Sequence, residues 1–164
     1  MPQEDLIIHI IKTGTYFNKD DLNDKGIPIQ SLIYAEVEIE NPGNKAGELE
    51  WKVDLESSKL PAFFSVIKKD GEFYSNPPLK IDGGYTAKYM WELKFVVKEN
   101  PELFTKMLKD ENEFKIIFNY HTKWIGGVSK EENLIISGDF SSYKKKLIEL
   151  WAERGLTNLV DLLQ

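Results

Sequence analysis

Four segments between residues 35 and 120 alternate in character at every second position, and a strand with one buried and one wet face is the structure that tolerates this pattern. In residues 35–40, Ala35, Val37 and Ile39 share one face and Glu36, Glu38 and Glu40 the other. Leu49, Trp51, Val53 and Leu55 alternate in the same way with Glu48, Glu50, Lys52 and Asp54. The longest segment sets Tyr85, Ala87, Tyr89, Trp91, Leu93 and Phe95 inward, against Thr86, Lys88, Met90, Glu92 and Lys94. Phe114, Ile116, Phe118 and Tyr120 form the fourth inward face, which leaves His121 on the outward phase. Further strands are expected at 63–69, 72–74 and 133–137, with Asp70-Gly71, Asp82-Gly83-Gly84 and Gly126-Gly127 as turns. Residues 6–11 are an apolar run broken by His9, which reads as a strand buried on both faces with a satisfied core histidine. Residues 18–26 are polar and acidic, and read as a loop.

Helical signals come in two places. Asn100-Pro101-Glu102 has the form of an N-cap, a first-turn proline and an early acid. Leu103, Phe104, Met107 and Leu108 would give that short crossover helix its apolar face. Later, Tyr143, Leu147, Leu150, Trp151 and Arg154 fall on one helical stripe. Ser141 or Ser142 could cap this helix and Gly155 end it, with a second short helix starting at Thr157 and carrying Leu159, Val160 and Leu163. No repeat, low-complexity stretch or linker divides the 164 residues. The expectation is a single domain, 1–164, with a helical extension at about 141–164. Its class is mainly β: an antiparallel β-sandwich of seven to eight strands.

Charge refines the topology. If segments 35–40 and 48–55 paired as neighbours, side-chain parity would set Glu36 opposite Glu50 and Glu38 opposite Glu48, a repulsive arrangement. The conflict vanishes if the two strands lie in opposite sheets and residues 41–45 cross between them. The segment Glu40-Asn41-Pro42-Gly43-Asn44, followed by Ala46-Gly47 and a strand with inward Trp51, resembles the B-to-C passage of bacterial and archaeal immunoglobulin-like domains. It is similar to the Asn-x-Gly type, such as CARDB modules, over about residues 32–97. The resemblance implies an immunoglobulin-like sandwich with a binding or structural role, and it transfers no functional residue.

Composition narrows the partners. The net charge is −6 and Arg154 is the only arginine, so phosphate and guanine recognition, which favours the planar guanidinium, is disfavoured and no nucleic acid is expected. There are no cysteines, which excludes disulfides, thiolate metal sites and cysteine nucleophiles. No apolar run approaches a membrane span, and the N-terminus lacks a signal-peptide pattern. The chain therefore reads as cytoplasmic, or as extracytoplasmic if it is a soluble region of an anchored protein.

Candidate sites follow from residue type and spacing. Asp20, Asp21, Asn23 and Asp24 offer closely spaced hard oxygens that would suit calcium, although Leu22 and Lys25 break the EF-hand pattern. Glu36, Glu38, Glu48 and Glu50 would bind a cation only if their strands were neighbours. Trp124 beside Gly126-Gly127, and Phe73 and Tyr74 beside a hairpin, are loop aromatics that could stack on sugar rings. Tyr143, Leu147, Leu150 and Trp151 could dock a protein partner or a second copy, the alternative being that they fold back on the sandwich. Neither His9 nor His121 stands in a catalytic motif, and no Gly-x-Ser-x-Gly elbow or phosphate loop exists. No cofactor other than calcium is implied. The leading expectation is a non-catalytic module that binds protein through a strand edge, a loop end or the C-terminal helices. The alternative is a carbohydrate-binding module with structural calcium.

Overall fold

The computed structural model describes residues 5–56, 63–69, 72–74, 78–95, 100–110 and 113–164, with side chains outside 55–77 and 95. Ten strands and three helices lie among them. In chain order they are β1 (Ile7–Phe17), β2 (Ser31–Glu40), β3 (Gly47–Glu56), β4 (Phe63–Lys69), β5 (Glu72–Tyr74), β6 (Leu79–Ile81), β7 (Thr86–Phe95), α1 (Pro101–Asp110), β8 (Glu113–Trp124), β9 (Gly127–Val128), β10 (Glu132–Asp139), α2 (Ser141–Glu153) and α3 (Thr157–Leu163). The number exceeds the expected seven to eight because β6 and β9 are pieces of three and two residues, too short to carry a periodic signal.

The strands form two antiparallel sheets. One has the order β1-β2-β7-β4-β5, and the other β10-β8-β3-β6 with β9 paired to β8. Taking β1, β2, β7 and β4 as A, B, E and D, and β3, β8 and β10 as C, F and G, this is the strand arrangement of an immunoglobulin-like sandwich. Strands β2 and β3 lie in opposite sheets, as the parity of their glutamates requires. Each acid then faces a different neighbour. Glu36 sits opposite Lys12, Glu38 lies between His9 and Lys88, and Glu48 sits opposite Lys123.

The expected inward faces of β2 and β8 close over one core. Ile33, Ala35, Val37 and Ile39 are buried, as are Phe114, Ile116 and Phe118. Trp91 stacks on Phe118 at 3.8 Å between ring centroids, and Trp51 flanks the same ring at 6.2 Å. Two residues of the β7 segment depart from their expected places. Tyr85 precedes the strand and is exposed, and its carbonyl accepts from Asn41 N in the turn (2.8 Å). Glu92 lies on the outward phase yet is only 6% exposed, lining a shallow groove with Lys12, Tyr34 and Met90.

The crossing at residues 41–45 is built around a buried side chain. Asn41 Nδ2 donates to the carbonyls of Lys45 (2.8 Å), Asp82 (3.1 Å) and Ile81 (3.3 Å). Its Oδ1 accepts from Gly43 N at 3.2 Å. The turn at 82–85 therefore docks onto the crossing turn, and Gly84 N donates to Gly43 O at 2.7 Å. Gly83 permits that approach, since a Cβ there would stand 2.5 Å from the Asn44 backbone.

The three helices pack together at one end of the sandwich. Asn100 caps α1 as expected, its Oδ1 accepting from Glu102 N (2.9 Å) and Leu103 N (3.3 Å). Phe104, Met107 and Leu108 are buried, but Leu103 is 55% exposed and Thr105 takes its place inside. For α2 neither serine is the cap. Asp139 Oδ1 accepts from Ser141 N at 3.0 Å, and its carboxylate also complements the helix dipole. The helix ends in a Schellman motif: Leu156 N donates to Trp151 O and Gly155 N to Ala152 O, with Gly155 at φ 74°. Thr157 begins α3, whose Leu159 and Leu163 are buried.

Candidate functional site

The strand expected to be buried on both faces is an edge strand. Among the described residues β1 pairs with β2 alone, so its other side carries no ladder. His9 is exposed rather than a core residue, because its phase points out of the sheet opposite Glu38. Ile7, Ile10 and Ile11 are 39%, 36% and 48% exposed. Ile8 packs on the core opposite the buried Ile39, while Ile10, on the same inward phase opposite Val37, stays partly open. The register slips between Ile10 and Lys12, which is a bulge that leaves Ile11 without a partner on β2. Bulges and lysines commonly blunt sheet edges, and here both fall at residues 11–12, leaving residues 7–10 as a regular edge with no lysine or carboxylate.

Past the bulge, the strand runs beside α2. Phe17 meets Tyr143 edge to face at 5.0 Å. A groove of about 390 Å³ lies between the end of β1 and α2, with Tyr16, Asp20, Lys146, Glu149 and Glu153 among its walls.

The other outer sheet face carries a compact ionic cluster. Glu50 on β3 accepts from His121 Nε2 at 3.0 Å and from Lys123 Nζ at 2.8 Å, both on β8. His121 is therefore half-buried and partnered instead of free in solvent. The hydrogen bond from Lys123 is the main cause holding the Glu50 carboxyl below its ordinary value, and the same contact raises the Lys123 ammonium. A carboxylate with a lowered folded pKa adds stability that is present above its unfolded pKa and is lost as pH falls through the folded one. Glu50→Gln is therefore expected to lower Tm slightly near neutrality, the pair being largely solvated, and to match wild type in acid. Parallel Tm curves for the two proteins across that range would contradict the assignment.

The remaining sequence-derived candidates lie apart from one another. Asn23 is occupied as a loop organiser, its Oδ1 accepting from Lys25 N and Ile27 N at 2.9 Å each. Asp20 and Asp24 are exposed and Asp21 is half-buried. Among the described residues no group of three or more His, Cys, Asp or Glu side chains gathers as a metal site. Trp124 stands at the end of β8 and not in a loop, half-buried, with its ring over Gly47. The side chains of Phe73 and Tyr74 lie outside those described. Tyr143, Leu147, Leu150 and Trp151 are all buried within the chain itself, so this stripe presents no surface to a partner. Tyr143 and Ser31 share a 2.6 Å hydroxyl hydrogen bond, and burial drives the phenol pKa upward, the Ser31 bond opposing it. Trp151 Nε1 donates to Gly26 O at 2.8 Å, and Arg154 Nη2 to Lys19 O at 2.9 Å. The C-terminal helices thus hold the 18–26 loop.

No protein-family model matches this chain, and no curated protein does. Solved structures with a similar arrangement include a FixG-related protein from Vibrio parahaemolyticus, with TM-score 0.42, 8% identity, 78% of this chain and 94% of that one covered. A protein from Archaeoglobus fulgidus gives TM-score 0.40 and 9% identity over 80% of this chain and 97% of that one. A PapD-like domain of human CEP192 gives 0.35 and 9% over 79% and 85%. All are distant in sequence from this immunoglobulin-like β-sandwich.

Proposed function

We propose that this chain is a non-catalytic binding module whose protein partner engages the open edge of β1, with residues 1–164 acting as one unit. One observation carries this reading: Ile7, Ile10 and Ile11 are exposed on a strand whose second side carries no ladder among the described residues. Unpaired backbone donors and acceptors beside apolar side chains are what strand addition uses, the backbone supplying affinity and the side chains selectivity. The C-terminal stripe is unavailable for this role, because it is core. Kinship with Asn-x-Gly immunoglobulin-like modules of the CARDB type belongs to the same reading, supported by the crossing turn built on Asn41.

The test compares proteins captured from a native lysate by wild type, by Ile7→Lys/Ile11→Lys, and by Ile135→Lys on the opposite sheet. The double variant is expected to recover at least about tenfold less of the specific partner, with the control unchanged. Equal recovery by all three would defeat the reading. A second reading, sugar binding through aromatics, has a weaker basis in Trp124, whose ring is half covered. It would be supported by retardation in a polysaccharide gel that is lost in Trp124→Ala.

A further inference from the structure

The edge segment Ile7-Ile8-His9-Ile10-Ile11 reads the same in both directions. When such a segment pairs antiparallel with a second copy of itself about its centre, each residue meets its own kind. We infer that the occupant of the β1 edge is a second copy of this chain, paired antiparallel about a two-fold axis through His9. This rests on the reading of β1 as the binding edge and names its partner.

In that register Ile7 faces Ile11 of the second copy, Ile8 faces Ile10, and His9 faces His9. Every apolar side chain meets an apolar one, which satisfies the self-complementarity a two-fold contact demands. The two-fold stands perpendicular to the sheet, so outer faces stay outer. Ile8 and Ile10, which share the inward phase opposite Ile39 and Val37, would be covered at the open side of the sandwich. No carboxylate or lysine lies within residues 7–11, so the local contact sets no acid against an acid and no lysine against a lysine. The bulge at Ile11 sets the far limit of regular pairing, beyond which Lys12 interrupts the apolar edge.

The contact is small. Two strand segments of this length bury less than the roughly 1,200 Å² of a standard stable complex, so association is weak and concentration-dependent. Each copy also carries a net charge of −6, and added salt, by screening that repulsion, is expected to strengthen the pair.

The chain has no cysteine, which makes one introduced thiol an unambiguous reporter. Across an antiparallel pair, facing Cα atoms lie about 4.5–5.5 Å apart, within disulfide reach. His9→Cys, at an exposed position, is expected to form a disulfide-linked dimer under mild oxidation about tenfold faster than Lys52→Cys on the opposite sheet. Sedimentation of wild type should show monomer passing to dimer from the micromolar to the millimolar range. A wild type that stays monomeric throughout, or equal cross-linking rates for the two thiol variants, overturns the second-copy assignment. Neither result touches the broader edge-binding reading, which the lysate comparison decides by itself.

Discussion

Asn41→Asp is expected to destabilise the protein at least as much as Asn41→Ala, about 3 kcal/mol or more by urea unfolding. The two side chains differ only in replacing an amide by a carboxyl group, yet the geometry makes that change severe. The Asn41 amide nitrogen points at three carbonyl oxygens, those of Lys45, Ile81 and Asp82. A carboxylate offers no hydrogen to any of them, and would add a buried negative charge against their partial charges. Alanine removes the donor but adds no repulsion. If Asn41→Asp unfolded at the same urea concentration as wild type, the crossing turn would not be organised by this side chain.

The second large effect is expected at Trp151. Trp151→Ala should cost about 3–5 kcal/mol, a sizeable part of the roughly 5–15 kcal/mol that holds an ordinary domain together. The indole is fully buried, meets Phe104 edge to face at 6.3 Å, and donates to the Gly26 carbonyl. Trp151→Phe keeps much of the apolar volume and loses the donor, so its cost should fall to about 1–2 kcal/mol. Urea midpoints of the three proteins give the ordering. A loss in Trp151→Ala below that of Trp151→Phe would mean that the helices are not anchored here.

How much of this was readable in advance depends on whether the signal is local. Ala35, Val37 and Ile39 announce their burial by alternation, because one face of a strand is fixed by its own residues. The glutamates at 36, 38, 48 and 50 placed β2 and β3 in different sheets by simple parity. The edge position of β1 was not legible, since an apolar run looks the same in the middle of a sheet as at its border. The role of Asn41 was hidden for another reason. Its turn chemistry is local, but two of the carbonyls it holds lie about 40 residues away. Asp139 displaced Ser141 and Ser142 as the group serving the start of α2 because the strand ends one residue before the helix, which sequence alone places only to within a residue or two. At the edge site, the four isoleucines were visible as an apolar run, but their exposure was set by what does not pair with them.

The indole–carbonyl link between Trp151 and Gly26 ties residues 125 positions apart. On a ribosome the early loop emerges long before the tryptophan that seats it. Until synthesis reaches α2, the Gly26 carbonyl and the Phe104 ring lack the indole that meets them. Seating of this loop therefore waits until the chain has grown through α2, and it closes one of the most sequence-distant contacts in the fold.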